Sequence, residues 1–236
     1  MRLLQPRRQR TVAPPLVALT IGQPAGGQKP RGSVLLIHGC GWVATGPGML
    51  GFEQADADRW QQRGFLTCNT DYRPKSQTLP DVTAVYDYIR SQNPDLPIVA
   101  SGQSAGGQLA MMLGRRRQLA AAISQAGPAD LLRLPVPVRE FAEASFGGPD
   151  GLRRYSPGLV GLRSPTLAAF GAADIAVPPR TQAPSLRRQG AKVVVLPAAT
   201  QTTGTFFIHT YVDSAALRRY YLRERRFVEG LITAPS

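Results

Sequence analysis

Between the apolar run at 97–100 and a stretch of helical spacing from Gln108 onward, the chain reads Ser101-Gly102-Gln103-Ser104-Ala105-Gly106-Gly107. This is G-x-S-x-G placed at a strand-to-helix turn. A turn that sharp leaves almost no room for side chains two positions either side of its apex, and glycines occupy both places. The following helix would aim its N-terminal N–H groups and positive dipole end at Ser104, favouring an oxyanion formed there. The pentapeptide alone also fits an ordinary Gly-rich turn with Ser104 as a cap, so the rest of the chain has to decide.

Around that turn, strands alternate with helices. The spacing predicts strands over 16–21, 33–37, 65–69, 98–101, 119–124, 166–170 and 192–196. Helices are expected over 52–63, around Val82, Val85, Tyr86 and Ile89, from Gln108, over 179–189 and over 213–231. The 33–37 run is continuously apolar, the mark of a strand covered on both faces of a parallel sheet. Residues 127–164 lose periodicity and gather Pro and Gly, which reads as a small cap-like excursion over the catalytic face. The expected architecture is α/β: a mostly parallel central sheet with helices on both faces. Residues 1–13 read as a flexible basic leader and 14–236 as one domain.

Composition narrows the function. No apolar run approaches the roughly 18 residues a membrane helix needs, so no membrane span is expected. The formal charge is +13, which suggests an anionic substrate or partner. Only Lys29, Lys75 and Lys192 are lysines, and the arginines cluster at Arg2, Arg7, Arg8 and Arg10, at 115–117, and at 218–226. The second cluster sits where cations offset a helix dipole and the third alternates with Glu224 and Glu229. With no nucleic-acid motif beside the charge, specific nucleic-acid binding is not expected. Cys40 and Cys68 are too few for a disulfide framework and lack zinc spacing, so two free thiols and no metal are expected. The N-terminus has no apolar segment of secretory length, which makes a cytoplasmic location the default, with a twin-arginine signal at Arg7-Arg8 as the alternative.

A serine hydroxyl needs a base to become a nucleophile. The chain has two histidines, His38 and His209. His38 precedes Ser104 beside a Gly-rich turn, whereas His209 follows the last predicted strand, so His209 is the expected general base and acid. An imidazole in that role needs a carboxylate to fix its tautomer. Asp174, just past a predicted strand, is the only acidic residue between Asp150 and Asp213. The order Ser, Asp, His is that of an α/β-hydrolase. The oxyanion calls for N–H donors from the residue after the nucleophile and from an earlier loop, which points to Ala105, Cys40 and Gly41. Trp42 either packs beneath that loop or is plain core. A rival reading takes Cys40 as a thiol nucleophile, but no base is placed for it once His209 serves Ser104.

The set His38-Gly39-Cys40-Gly41-Trp42, Asp71-Tyr72-Arg73-Pro74, Gly102 to Gly107, Ser156-Pro157, Gly171 to Pro178 and His209 resembles α/β-hydrolase serine esterases of the hormone-sensitive-lipase-like branch. That branch typically carries H-G-G-G-W, Y-R, G-x-S-A-G-G and G-x-x-D-x-x-V-P in this order. The resemblance spans about residues 16 to 230. It implies a cofactor-free carboxylesterase with a Ser104-Asp174-His209 triad, an oxyanion hole of Cys40, Gly41 and Ala105, and structural support from His38, Gly39, Trp42, Tyr72 and Arg73. Two departures stand out: Cys40 replaces a usual glycine, and Ile208 and Thr210 flank His209 where family members often have glycine. The H-G-x-x-W feature is also similar to arylformamidases, so amide or formamide hydrolysis is the nearest alternative. A hydrolase fold retained only for binding is the alternative from another class.

Overall fold

Every residue of β2 (Ser33–Ile37) is buried, because its side chains are shared between two cores. Val34 and Leu36 pack into one cluster with Ala57, Trp60 and Phe65, while Leu35 and Ile37 pack into another with Leu79, Val82 and Leu109. Successive strand residues face opposite sides of a sheet, so a strand covered on both sides favours apolar residues on both faces, as at 34–37. The same alternation recurs in β6 (Thr166–Gly171), where Leu167 and Ala169 join the first cluster and Ala168 and Phe170 the second.

The structure is a computed structural model that describes residues 16–232; the basic leader expected at 1–13 lies outside the described residues. β1 (Leu19–Gly22), β2, β3 (Leu66–Thr70), β4 (Ile98–Gln103), β5 (Ala121–Gln125), β6 and β7 (Lys192–Leu196) form a seven-stranded sheet in the order β1-β3-β2-β4-β5-β6-β7. Only β1 runs antiparallel to its neighbour, and the other pairings are parallel. Helix α1 (Gln54–Gln62) and the long terminal helix α8 (Ser214–Ile232) contribute Trp60, Tyr220 and Val228 to one face; α2 (Thr78–Gln92) and α3 (Ala105–Arg116) contribute Val82, Ile89, Leu109 and Leu113 to the other. No helix among the described residues is long and apolar enough to cross a membrane. Cys40 is exposed and Cys68 buried, both as free thiols, and burial pushes the Cys68 thiol up to about 12.

Two parts of the chain differ from the sequence expectation. Residues 127–164 hold three short helices, α4 (Val136–Phe146), α5 (Pro149–Arg154) and α6 (Pro157–Val160), each with proline in its first turn. Proline there gives up an N–H that has no intrahelical partner anyway, so the density of Pro that mimics a loop marks helix starts. Residues 204–213 form an antiparallel hairpin of β8 (Gly204–Phe207) and β9 (Thr210–Asp213). α7 (Pro179–Arg188) forms around Pro184 as expected.

A buried polar layer lies under α1. Arg59 bridges Asp56 at 2.7 Å and Glu224 at 2.8 Å, Arg63 adds a second contact to Glu224 at 2.9 Å, and Gln125 donates to Asp56 at 2.8 Å. Two guanidinium groups thus balance two carboxylates. Glu53 is fully buried beside them, and neither of its carboxyl oxygens makes a hydrogen bond of good geometry. Burial, then the neighbouring Asp56, push its carboxyl well above the usual carboxylate range, against smaller pulls from Arg59 and the nearby Gln103 side chain. A group raised in the folded state stabilises the fold below its unfolded value and loses that contribution as pH rises through the folded one. Glu53→Gln is therefore expected to raise the thermal unfolding midpoint at pH 8 by about 3 °C or more, the shift for roughly 1 kcal/mol in a chain of this size. The gain should shrink below pH 5; a midpoint lowered equally at both pH values would contradict this.

Candidate active site

Ser104 stands between β4 and α3 with φ 50° and ψ −119°, a backbone conformation that sterics disfavour for any residue with a β-carbon. It is held there from both sides: its N–H donates to the Gln125 carbonyl at 2.8 Å, and its own carbonyl accepts from Gln108 at 3.2 Å. The flanking glycines are sterically required. A β-carbon on Gly106 would lie 1.9 Å from the Ile37 carbonyl oxygen, and one on Gly102 would lie 2.4 Å from the Gly106 backbone. Strand β2 therefore ends directly against the serine turn.

His209 reaches Ser104 from the turn between β8 and β9. Its Nε2 is 2.9 Å from Ser104 Oγ, and its Nδ1 is 2.9 Å from Asp174 Oδ2. Asp174 follows β6 in a tight turn, and its other oxygen accepts from the Ala176 and Val177 N–H groups at 2.9 and 2.8 Å. With a buried carboxylate at Nδ1, that nitrogen carries the hydrogen and Nε2 is free to accept the serine proton. The three residues singled out from sequence are thus in mutual hydrogen-bond contact, although they are far apart in the chain.

The loop after β2 turns the wrong way for L-residues. Cys40, Gly41 and Trp42 have φ of 67°, 64° and 62°, one left-handed helical turn in which Val43 and Ala44 N–H groups reach back to the Cys40 carbonyl at 3.4 Å. Left-handed backbone costs about 1–2 kcal/mol per non-glycine residue, so the loop needs outside support. Trp42 is buried, and its Nε1 donates to Gln108 Oε1 at 3.0 Å, while Gln108 Nε2 donates to the Tyr155 carbonyl at 2.7 Å. Tyr72 donates its hydroxyl to the Gly39 carbonyl at 2.7 Å, and its ring stacks on His38 at 4.2 Å. Burial pushes the Tyr72 phenol up, so it remains a donor. Arg73 pairs with Asp81 at 2.7 Å, tying the segment to α2.

Asp71, whose carboxylate the sequence reading left without a part, is the hub of that support. One oxygen contacts His38 Nε2 at 3.0 Å and accepts from Tyr72 N at 2.8 Å; the other accepts from Thr45 Oγ1 at 2.9 Å and Gly46 N at 2.8 Å. Burial pushes its carboxyl up, but the Gly46, His38, Tyr72 and Thr45 hydrogen bonds outweigh it and hold the group below the usual carboxylate range. Ser156 is also structural: buried, it accepts from Leu131 N at 2.8 Å and donates to the Leu152 carbonyl at 2.7 Å.

A cavity of about 370 Å³ opens beside Ser104 and His209, with Gly39, Cys40 and Gly41 along one side. Its remaining wall is mostly apolar: Val177 comes from the Asp174 motif, and Val43, Phe52, Val138, Phe141 and Ile208 are residues that no motif marks. Phe52 and Phe141 are 56% and 49% exposed, which sets them at the mouth. Among the described residues, no lysine or arginine lines the cavity. Removing the Tyr72 hydroxyl takes the shorter of two contacts from the Gly39 carbonyl, leaving His38 Nδ1 at 3.1 Å, and Tyr72→Phe is expected to lower stability by about 1 kcal/mol. In thermal unfolding that is a drop of roughly 2–4 °C; an unchanged midpoint would contradict the brace.

Comparison with known proteins agrees with this architecture. The model of the BD-FAE family matches residues 19–136, which run from β1 to the start of α4. Esterase 2 of Thermogutta terrifontis, in a form phosphoramylated by tabun, superposes with a TM-score of 0.67 at 24% identity, covering 93% of this chain and 92% of that one. The HSL-homolog EstE7, from a metagenome library, gives 0.69 at 17% identity over 92% of this chain and 87% of that one. Puromycin hydrolase, as an S511A mutant, gives 0.72 at 16% identity over 93% of this chain but 38% of that one. A search of curated proteins finds no match. The fold is that of the α/β-hydrolases, and the chain belongs to the BD-FAE family.

Proposed function

We propose that the protein is a carboxylesterase-type serine hydrolase in which Ser104 is the nucleophile, His209 the general base and then acid, and Asp174 the group that orients and charge-stabilises His209. The observation that carries this reading is the unbroken contact chain from Ser104 Oγ through both nitrogens of His209 to Asp174, with both links at 2.9 Å. His209 Nε2 takes the hydroxyl proton as Oγ bonds to the ester carbonyl carbon, and the carbonyl π electrons move to oxygen. The imidazolium then gives that proton to the departing alcohol oxygen, which leaves the acyl group on Ser104. Water, deprotonated by the same nitrogen, attacks the acyl carbon and releases the acid with Ser104 restored.

The oxyanion hole in this reading is formed by the N–H groups of Ala105, Cys40 and Gly41. Ala105 opens α3, where N–H groups lack intrahelical partners and the dipole favours negative charge. The left-handed turn at 40–42 likewise begins with N–H groups that point one way along its axis. A β-carbon on Gly39 would lie 3.1 Å from Ser104 Cβ, so this loop is immediately beside the reacting oxygen. Helix α4 acts as a small cap, since its Val138 and Phe141 close part of the cavity. The apolar lining favours esters with uncharged groups on both sides of the carbonyl. Ester turnover also fits the structurally similar Thermogutta terrifontis esterase 2, described both propionate-bound and phosphorylated by paraoxon.

Hydrolysis of p-nitrophenyl acetate by the wild type, Ser104→Ala and His209→Ala tests the reading. Loss of a triad member is expected to lower kcat by about 10⁴-fold or more, with folding unchanged by circular dichroism. Asp174→Asn should cost a similar factor by favouring the wrong tautomer. A folded wild type with no esterase activity would favour a binding role, and an active Ser104→Ala would remove the triad.

A further inference from the structure

His209 is delivered by a turn that backbone sterics disfavour. β8 and β9 are joined through Ile208 and His209, Ile208 has φ 58°, and the His209 N–H donates to the Phe207 carbonyl at 2.7 Å. A hydrogen bond closed over three residues, with the middle one at positive φ, is the left-handed form of the γ-turn, which is rare and strained. A β-branched residue at positive φ is an outlier in its own right. Ile208 is the one β-branched residue among the described non-glycine residues at positive φ; the others are Cys40, Trp42, Lys75, Ser104 and Ala126. Glycine or asparagine would relieve the turn. Strain of about 1–3 kcal/mol persists only where something else holds it in place.

The Ile208 side chain does two things that glycine would not. It packs against the cluster holding Phe207, Val212 and Leu217, and it forms part of the cavity wall next to His209. The mechanism says which part of an ester meets that wall. The nitrogen that accepts the serine proton must next donate to the leaving oxygen, so the alcohol portion lies on the His209 side of the carbonyl, across from the oxyanion loop.

We infer that Ile208 is the specificity-determining residue for the alcohol portion of the ester, its strained turn holding a branched side chain where it limits the bulk of the leaving group. The inference rests on the serine-hydrolase reading above and adds the side of the substrate that is restricted. The carbonyl's other substituent, turned away from His209, is outside its reach.

The test is a matrix of kcat/KM values, followed by release of acid in a pH-stat, for ethyl, cyclohexyl and benzyl acetate and for ethyl butyrate. The enzymes compared are the wild type, Ile208→Val and Ile208→Gly. Ile208→Gly is expected to raise the cyclohexyl-to-ethyl acetate ratio by about tenfold or more. Ile208→Val, which trims one methylene and keeps β-branching at the same backbone conformation, should raise it by about fourfold. The ethyl butyrate-to-ethyl acetate ratio should stay within about twofold in both. An unchanged alcohol ratio in the active variants, or a shift in the acyl ratio instead, overturns the inference. If Ile208→Gly does not fold, Ile208→Val decides by the same ratios. Ser104→Ala run alongside separates the two readings: activity retained there removes the triad, whereas activity lost there with flat Ile208 ratios removes only the role of Ile208.

Discussion

The Ile37 carbonyl oxygen stands 1.9 Å from where a β-carbon on Gly106 would be. That single contact joins the two halves of the site. It lets the turn carrying Ser104 settle onto the end of β2, so the loop that follows β2 has to run beside the serine. A parallel sheet makes this arrangement natural, because neighbouring strands deliver their C-terminal ends to one edge and loops of different origin meet there. β2, β4, β5 and β6 pair in register and all end at that edge. From them come the 38–42 loop, Ser104, the Gln125 carbonyl that holds the Ser104 N–H, and Asp174.

Strain concentrates where these loops meet. Cys40 and Trp42 in the loop after β2, Ser104 itself and Ile208 beside His209 all have positive φ without being glycine. Each is held by something rigid: Trp42 by its indole bond to Gln108, the loop by Tyr72 and the Asp71 hub, Ser104 by Gln125, and Ile208 by the hairpin ladder. A site built this way is organised before substrate arrives. Little reorganisation is then needed as charge develops, which is where electrostatic stabilisation has its largest effect. The buried layer of Arg59, Arg63, Asp56 and Glu224 lends the same rigidity from below, because Gln125 bonds to Asp56 through its side chain and to Ser104 through its backbone.

How much of this could be read from sequence follows the physics of each part. The continuous apolar strands and glycine-flanked serine were readable because burial on two faces and a sharp turn each restrict residue type locally. Asp174 and His209 were readable through scarcity, with two histidines in the chain and one acid between Asp150 and Asp213. The β8–β9 hairpin was not, because its turn is made by Ile208 and His209 and lacks the Asn-Gly or Gly signals such turns usually carry. The short helices at 136–160 were hidden by their own N-terminal prolines. Asp71 sits in a quoted motif, but nothing local reveals that its carboxylate gathers His38, Thr45, Gly46 and Tyr72. The cavity walls from Phe52, Val138 and Phe141 likewise arise only when distant segments pack. Net charge says little about the cavity, because no lysine or arginine among the described residues lines it.

The central claim is that one hydroxyl, Ser104 Oγ, becomes covalently bonded to the substrate's electrophilic centre. Peptide mapping by mass spectrometry after treatment with a fluorophosphonate tests it most directly. The account predicts a single stoichiometric adduct on the peptide containing Ser104, with none formed when His209 is replaced by alanine. An adduct on another residue, Cys40 included, or an active enzyme that takes up no reagent, would contradict it.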